Sequence, residues 1–132
     1  MVDFYSDKVL EHFKNPRNIG SLPEGPDVGV GTVGNPVCGD IMKIFIKVGK
    51  KDNEEFVEDV KVQTLGCGAA IATSSMASEM IKGKPLVQAE ELSNQAVTEA
   101  LGGLPEVKKH CSVLAAQAIK EAIEDYRQKN ES

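Results

Sequence analysis

At 132 residues the chain has the size of one domain and is long enough to bury a hydrophobic core without disulfide staples. Its 15 basic and 20 acidic residues leave a formal net charge of −5, which argues against a nucleic-acid partner. No stretch approaches the roughly 20 apolar residues needed to span a bilayer, and Met1 to Asn18 mixes charges where a signal peptide would be apolar, so the sequence predicts a cytoplasmic protein with no membrane partner.

Ser6-Asp7-Lys8-Val9-Leu10-Glu11-His12-Phe13-Lys14 predicts a short amphipathic helix, capped by Ser6 and stopped at Asn15-Pro16. A single histidine on such a surface helix, His12, is expected to be solvated rather than to bind metal. The prolines and glycines from Asn15 to Pro26 read as loop. From Asp27 to Asn35 glycines alternate with Val28, Val30 and Val33, which suits a glycine-rich strand that another backbone approaches closely, with a flexible loop as the alternative. Ile41 to Val48 predicts a half-buried strand, with Met42, Ile44, Ile46 and Val48 on one face and Lys43, Phe45 and Lys47 on the other. Gly49-Lys50-Lys51-Asp52-Asn53 supplies a turn, and Phe56 to Leu65 resumes the alternation through Val60, Val62 and Thr64 to complete a hairpin.

After Gly66-Cys67-Gly68 the composition changes to alanine, serine and methionine. The spacing of Ala72, Met76 and Met80 predicts a helix from Ala69 to Ile81, whose small side chains would let the sheet backbone lie close. Glu90 to Leu101 predicts one or two short helices with Ser93 as a cap, closed by Gly102-Gly103. A last helix from about Cys111 to Gln128 carries the apolar stripe Ala115, Ala118, Ile119, Ala122, Ile123 and Tyr126, and the residues after Gln128 should fray. The expected architecture over residues 1–132 is α+β, a three-stranded antiparallel sheet with helices packed mainly on one face.

Three cysteines cannot all pair internally, so burial as small core residues has to be weighed against thiol chemistry or metal binding. In Cys38-Gly39-Asp40, alternate residues of an extended chain share a face, so thiol and carboxylate can point the same way with no side chain between them. Cys67 comes where a strand hands over to a helix, whose unpaired N–H groups and positive dipole end favour thiolate. His110-Cys111 also opens a helix, where non-helical dihedrals let neighbouring side chains converge. Three sulfurs, an imidazole and a carboxylate are the ligand types of zinc and iron–sulfur centres. Five candidates exceed the four of a closed tetrahedral site, which points to exchangeable ligation at one end of the sheet.

At these residues the chain closely resembles the IscU/NifU-type iron–sulfur cluster assembly scaffolds. The similarity runs through Tyr5 to Gly20 with Asn15-Pro16-Arg17-Asn18, then Asn35 to Asp40, Gly66 to Ala72, and Leu104 to Ser112. The resemblance implies a scaffold and sulfur acceptor rather than a turnover enzyme. On it a [2Fe–2S] cluster would be built from Fe2+ and sulfide and passed to apo acceptor proteins. It further implies that Cys38, Cys67 and Cys111 are cluster ligands, that His110 or Asp40 completes the set, and that Zn2+ competes for the site. Cys111 would be the chief acceptor of persulfide sulfur from a pyridoxal-phosphate cysteine desulfurase, a step helped by thiolate character and exposure. Asp40 resembles the family aspartate that keeps the cluster labile, since a carboxylate holds iron more weakly than a thiolate. A ferredoxin reductant and an iron donor are further implied partners.

Leu104-Pro105-Glu106-Val107-Lys108 is similar to the family's chaperone-recognised Leu-Pro-Pro-Val-Lys, with Glu106 replacing the second proline. Leu104, Pro105, Val107 and Lys108 are therefore candidates for contact with an Hsp70-type chaperone, against the reading of a simple helix lead-in. His110 and the uninterrupted stretch from Lys84 to Gly103 favour the IscU-like branch over the sulfur-relay scaffolds, which carry an insertion and lack that histidine. Whether a cluster sits within one subunit or bridges a homodimer stays open. A structural zinc module would instead hold zinc permanently. A cysteine hydrolase is disfavoured because adjacent residues such as His110 and Cys111 rarely form a nucleophile–base pair.

Overall fold

Alternating branched side chains in the middle of the chain make a hairpin, and the helices pack against the sheet it belongs to. The computed structural model describes residues 7–35, 40–65, 68–102 and 110–130. Its elements run α1 (Asp7–Lys14), β1 (Val28–Asn35), β2 (Asp40–Lys51), β3 (Glu54–Leu65), α2 (Gly68–Ile81), α3 (Leu86–Glu90), α4 (Asn94–Ala100) and α5 (His110–Lys129). The strands form one antiparallel sheet in the order β1-β2-β3. Met42, Ile44, Ile46 and Val48 of β2 point into a core shared with α2, α4 and α5, as the α+β expectation required. No helix among the described residues is long and apolar enough to cross a membrane.

The hairpin is longer than the alternation alone suggested. β2 and β3 stay paired out to Lys51 and Glu54, leaving only Asp52 and Asn53 to turn the chain. Both have positive φ, 55° and 66°, the signature of the tight turn that matches strand twist. A register shift at Lys47/Val48 pairs Val48 with Val57 and Lys47 with Asp59, leaving Glu58 as the extra residue. This bulge explains how Val57 and Val60, three positions apart, are both buried, a departure from the strict period of two.

The glycine alternation of β1 marks a close backbone approach, and the partner is α5. A Cβ on Gly29 would stand 1.9 Å from the carbonyl oxygen of Ala122, and one on Gly31 would stand 2.1 Å from that of Ala118. Both distances are far inside van der Waals contact, so only glycine on the strand and alanine on the helix let the two backbones pack at this depth. Side chains of the last turns of α5 then satisfy the strand: Val30 N–H donates to Asp125 Oδ2 at 2.9 Å, and Lys129 Nζ donates to the Val28 carbonyl at 2.9 Å. The helix that approaches β1 is α5, while α2 packs against β3.

The small residues of α2 serve a different contact. Thr73, Ser74, Ser75 and Ser78 are all buried, and three of them donate back to carbonyls one turn earlier: Thr73 to Ala70, Ser74 to Ile71, Ser78 to Ser75. Their oxygens are left to receive α1 and the segment behind it. The Arg17 backbone N–H donates to Ser75 Oγ at 2.8 Å, and Asn18 Nδ2 donates to Ser78 Oγ at 2.9 Å. His12 is buried rather than solvated, with Nδ1 2.8 Å from Ser75 Oγ and Nε2 3.4 Å from Glu79 Oε1. The surface-helix expectation failed because α1 lies on α2 with its histidine edge inward. Nor is 15–26 entirely loop. Ile19 bridges Val62 in parallel, with Gly20 N–H donating to the Val62 carbonyl at 3.0 Å and Val62 N–H to the Asn18 carbonyl at 2.7 Å.

Of the one or two short helices expected from Glu90 to Leu101, one lies there, α4, while α3 starts earlier at Leu86 behind Pro85 and ends at Glu90. Ser93 caps α4 as expected, its side chain accepting from Ala96 N–H at 3.0 Å. The proposed cap Ser6 lies outside the described residues.

Replacing Gly31 by Ala should cost at least about 2 kcal/mol, because the obstacle is helix backbone and cannot swing aside. Urea unfolding measures this, and an unchanged midpoint would contradict the packing described. Burial, with help from nearby Arg17, holds His12 below the ordinary histidine value, against the pull of Glu79 and Glu11. The unfolded chain therefore takes up this proton first as pH falls. The contribution of His12 to stability is complete above about pH 6.5 and is lost as pH drops toward its lower folded value. NMR titration of the ring should read a depressed pKa, and the urea midpoint should fall more between pH 7.5 and 5.5 in the wild type than in His12→Asn.

Candidate metal centre

Strand register and helix packing together fix where the cysteine-bearing segments attach. Asn35 and Asp40 are Cα partners at the end of the β1–β2 ladder, so the connection carrying Cys38 leaves and re-enters the sheet at one place. Ile41, the next residue of β2, pairs with Leu65 at the end of β3. Thr64 Oγ1 fastens that corner by donating to the Ile41 carbonyl at 2.9 Å. Cys67 follows Leu65 by two residues, and Gly68 opens α2.

α5 brings the third segment to the same end. Gly29 faces Ala122 and Gly31 faces Ala118, so the helix runs antiparallel to β1. Two strand residues advance about 6.6 Å and four helix residues about 6 Å, so the steps stay matched. Continued beyond Gly31, they carry Asn35 to the level of the first turn of α5, where His110 and Cys111 stand. The end of β1, the start of β2, the end of β3 and the start of α5 thus meet at one edge of the fold.

Of the predicted site residues, Cys111 is described in full. It is completely buried, in the first turn of α5 and in contact with the core. The exposed thiol expected from the sequence is not what this structure holds at position 111, where the side chain joins the hydrophobic core. The next residue, Ser112, is also buried, and Thr98 Oγ1 of α4 donates to its Oγ at 2.7 Å. That contact joins positions 14 residues apart and leaves no periodic trace in the sequence. Asp40 and His110 are placed by their backbones at the start of β2 and of α5, while their side chains lie outside the described residues. So do Cys38, Cys67, Leu104, Pro105, Val107 and Lys108. Among the described residues no group of three or more His, Cys, Asp or Glu side chains is placed to hold a metal ion. At the same end an apolar pair stays open to solvent, Ile41 at 45% and its cross-strand partner Leu65 at 69% exposure.

The model of the NifU-like N terminal domain family matches residues 4–132. A protein named iron–sulfur cluster assembly scaffold protein IscU 1, from Archaeoglobus fulgidus, is 61% identical over 126 residues, covering 96% of this chain and 78% of that protein. The IscU scaffold of Escherichia coli K12 is 50% identical over 129 residues, covering 97% of this chain and 98% of its own. The chain belongs to the IscU/NifU family of iron–sulfur cluster assembly scaffold proteins. Its fold is the family fold: a crystal structure of a NifU-like N-terminal protein from Brucella abortus superposes with a TM-score of 0.67 at 21% identity, covering 96% of each chain.

Proposed function

We propose that this protein is the platform on which a [2Fe–2S] cluster is assembled from Fe2+ and desulfurase-derived sulfur and from which the labile cluster passes to apo acceptor proteins. The observation that carries this reading is the convergence at one sheet end of the chain segments bearing Cys38, Cys67 and Cys111. The cluster is cargo, made and released, so the protein needs ligands that hold it without closing it off. Cys38, Cys67 and Cys111 supply the thiolates, and Asp40 or His110 completes the set. Zn2+ competes for the same donors.

Sulfur enters by thiolate attack of Cys111 on the outer sulfur of a persulfide on a cysteine desulfurase. The persulfide S–S bond breaks, the desulfurase cysteine leaves as thiolate, and the sulfur remains on Cys111 as a new persulfide. Release as sulfide takes two electrons and a proton, restoring the Cys111 thiol, and a ferredoxin is the class of donor that supplies the electrons. A separate iron donor, an Hsp70-type chaperone docking on Leu104, Pro105, Val107 and Lys108, and a cytoplasmic setting complete the proposal. Asp40 keeps the product transferable because its oxygen binds iron less firmly than sulfur would.

Anaerobic incubation of the zinc-free protein with ferrous iron, cysteine and a desulfurase should produce visible charge-transfer absorption. Those bands should be absent in Cys38→Ser, Cys67→Ser and Cys111→Ser. A wild type that stays colourless while holding stoichiometric zinc refutes the scaffold reading. Once loaded, Asp40→Ala should keep its colour in air several-fold longer than the wild type, and equal decay removes the role given to Asp40.

A further inference from the structure

Resting on that reading, the structure poses a problem of access. The thiol that must attack a persulfide on another protein is completely buried, and the residue after it is buried too. A buried nucleophile reacts only through the fraction of molecules in which its shelter is open. The start of α5 is the part of that helix least expensive to open, because the first-turn N–H groups have no acceptors within the helix.

What resists the opening is visible on α4. Ser93 caps this helix, and Val97 and Leu101 anchor it in the core, so Thr98 is held on a fixed platform. From there its hydroxyl donates to Ser112 Oγ at 2.7 Å. The bond lies one residue beyond Cys111, so unwinding α5 from its start far enough to free that cysteine pulls directly on Ser112. We propose that the Thr98–Ser112 hydroxyl bond is the latch that keeps Cys111 sheltered, and that Thr98 is a positioning residue setting how often the thiol becomes available to its sulfur donor. Breaking the latch leaves the apolar contact between α4 and α5 in place, since Val97 and Leu101 do not depend on it.

The test needs neither iron nor a desulfurase, so its outcome is independent of the cluster chemistry. The metal-free protein is treated with iodoacetamide under native conditions, and the modification rate at Cys111 is followed by peptide mass spectrometry, which separates it from Cys38 and Cys67. Thr98→Val, nearly isosteric but without the hydroxyl, should label about five-fold faster than the wild type, the factor expected for one buried hydrogen bond. Ser112→Ala should do the same from the other side, and Thr98→Ser should restore the wild-type rate. Val57→Ala, a cavity in the remote part of β3, should lower the urea midpoint yet leave the Cys111 rate within about two-fold, because the opening is local. Wild-type labelling in both hydroxyl-deletion variants overturns the latch. So does a Thr98→Ser variant as fast as Thr98→Val, or a Val57→Ala variant that accelerates as much.

Discussion

The arrangement of this protein hangs on a backbone-to-backbone contact between β1 and α5. With Gly29 and Gly31 against Ala122 and Ala118, strand and helix approach so closely that any side chain on the strand would overlap a helix carbonyl. Contact at two positions also sets direction and register, so α5 can slide along β1 only by breaking the match. The start of α5 is thereby held level with the end of β1 and the start of β2, at least 70 residues earlier in the sequence. The placement of Cys111 is a consequence of glycines on β1 and of alanines about two and three helical turns along α5.

A second, polar contact fixes the other flank. Hydroxyls on α2 cannot drive docking by hydrophobic burial, so α1 and the segment after it are joined to them by hydrogen bonds that involve His12, Arg17 and Asn18. Glu11 and Glu79 hold Arg17 from outside, at 2.7 and 3.9 Å. Such a joint is satisfied only while every partner is present, and burial disfavours the charged form of His12. It is more easily loosened by acid than the aliphatic packing under the sheet, which no change of pH in the physiological range can touch.

Much of this was legible in the sequence where a period carried it. The alternation in β2, the stripe on α5, the cap at Ser93 and the glycine spacing in β1 each announced its element, and the glycines announced a close neighbour as well. Which neighbour was not legible, because small residues occur on both α2 and α5 and only the fold decides which lies under β1. Local patterns also hid the bulge at Glu58, which breaks the period, and the buried state of His12, which depends on a helix some 60 residues away. For the candidate site, three of the motifs supplied candidate ligands through family resemblance. The structure adds why their segments come together, and it shows Cys111 under cover, which no motif records.

Burial at position 111 and an open, exchangeable metal site are compatible if the site is assembled on demand, with the ligands drawn together by the metal. On this account the sheet end supplies direction and the ion supplies closure. The most direct measurement of that claim is X-ray absorption at the zinc edge of the zinc-loaded protein, which counts the sulfur atoms around the ion. The account predicts three sulfurs at about 2.3 Å with one lighter nitrogen or oxygen donor. A first shell with fewer than three sulfurs would mean that residues 38, 67 and 111 do not share a centre, and would contradict it.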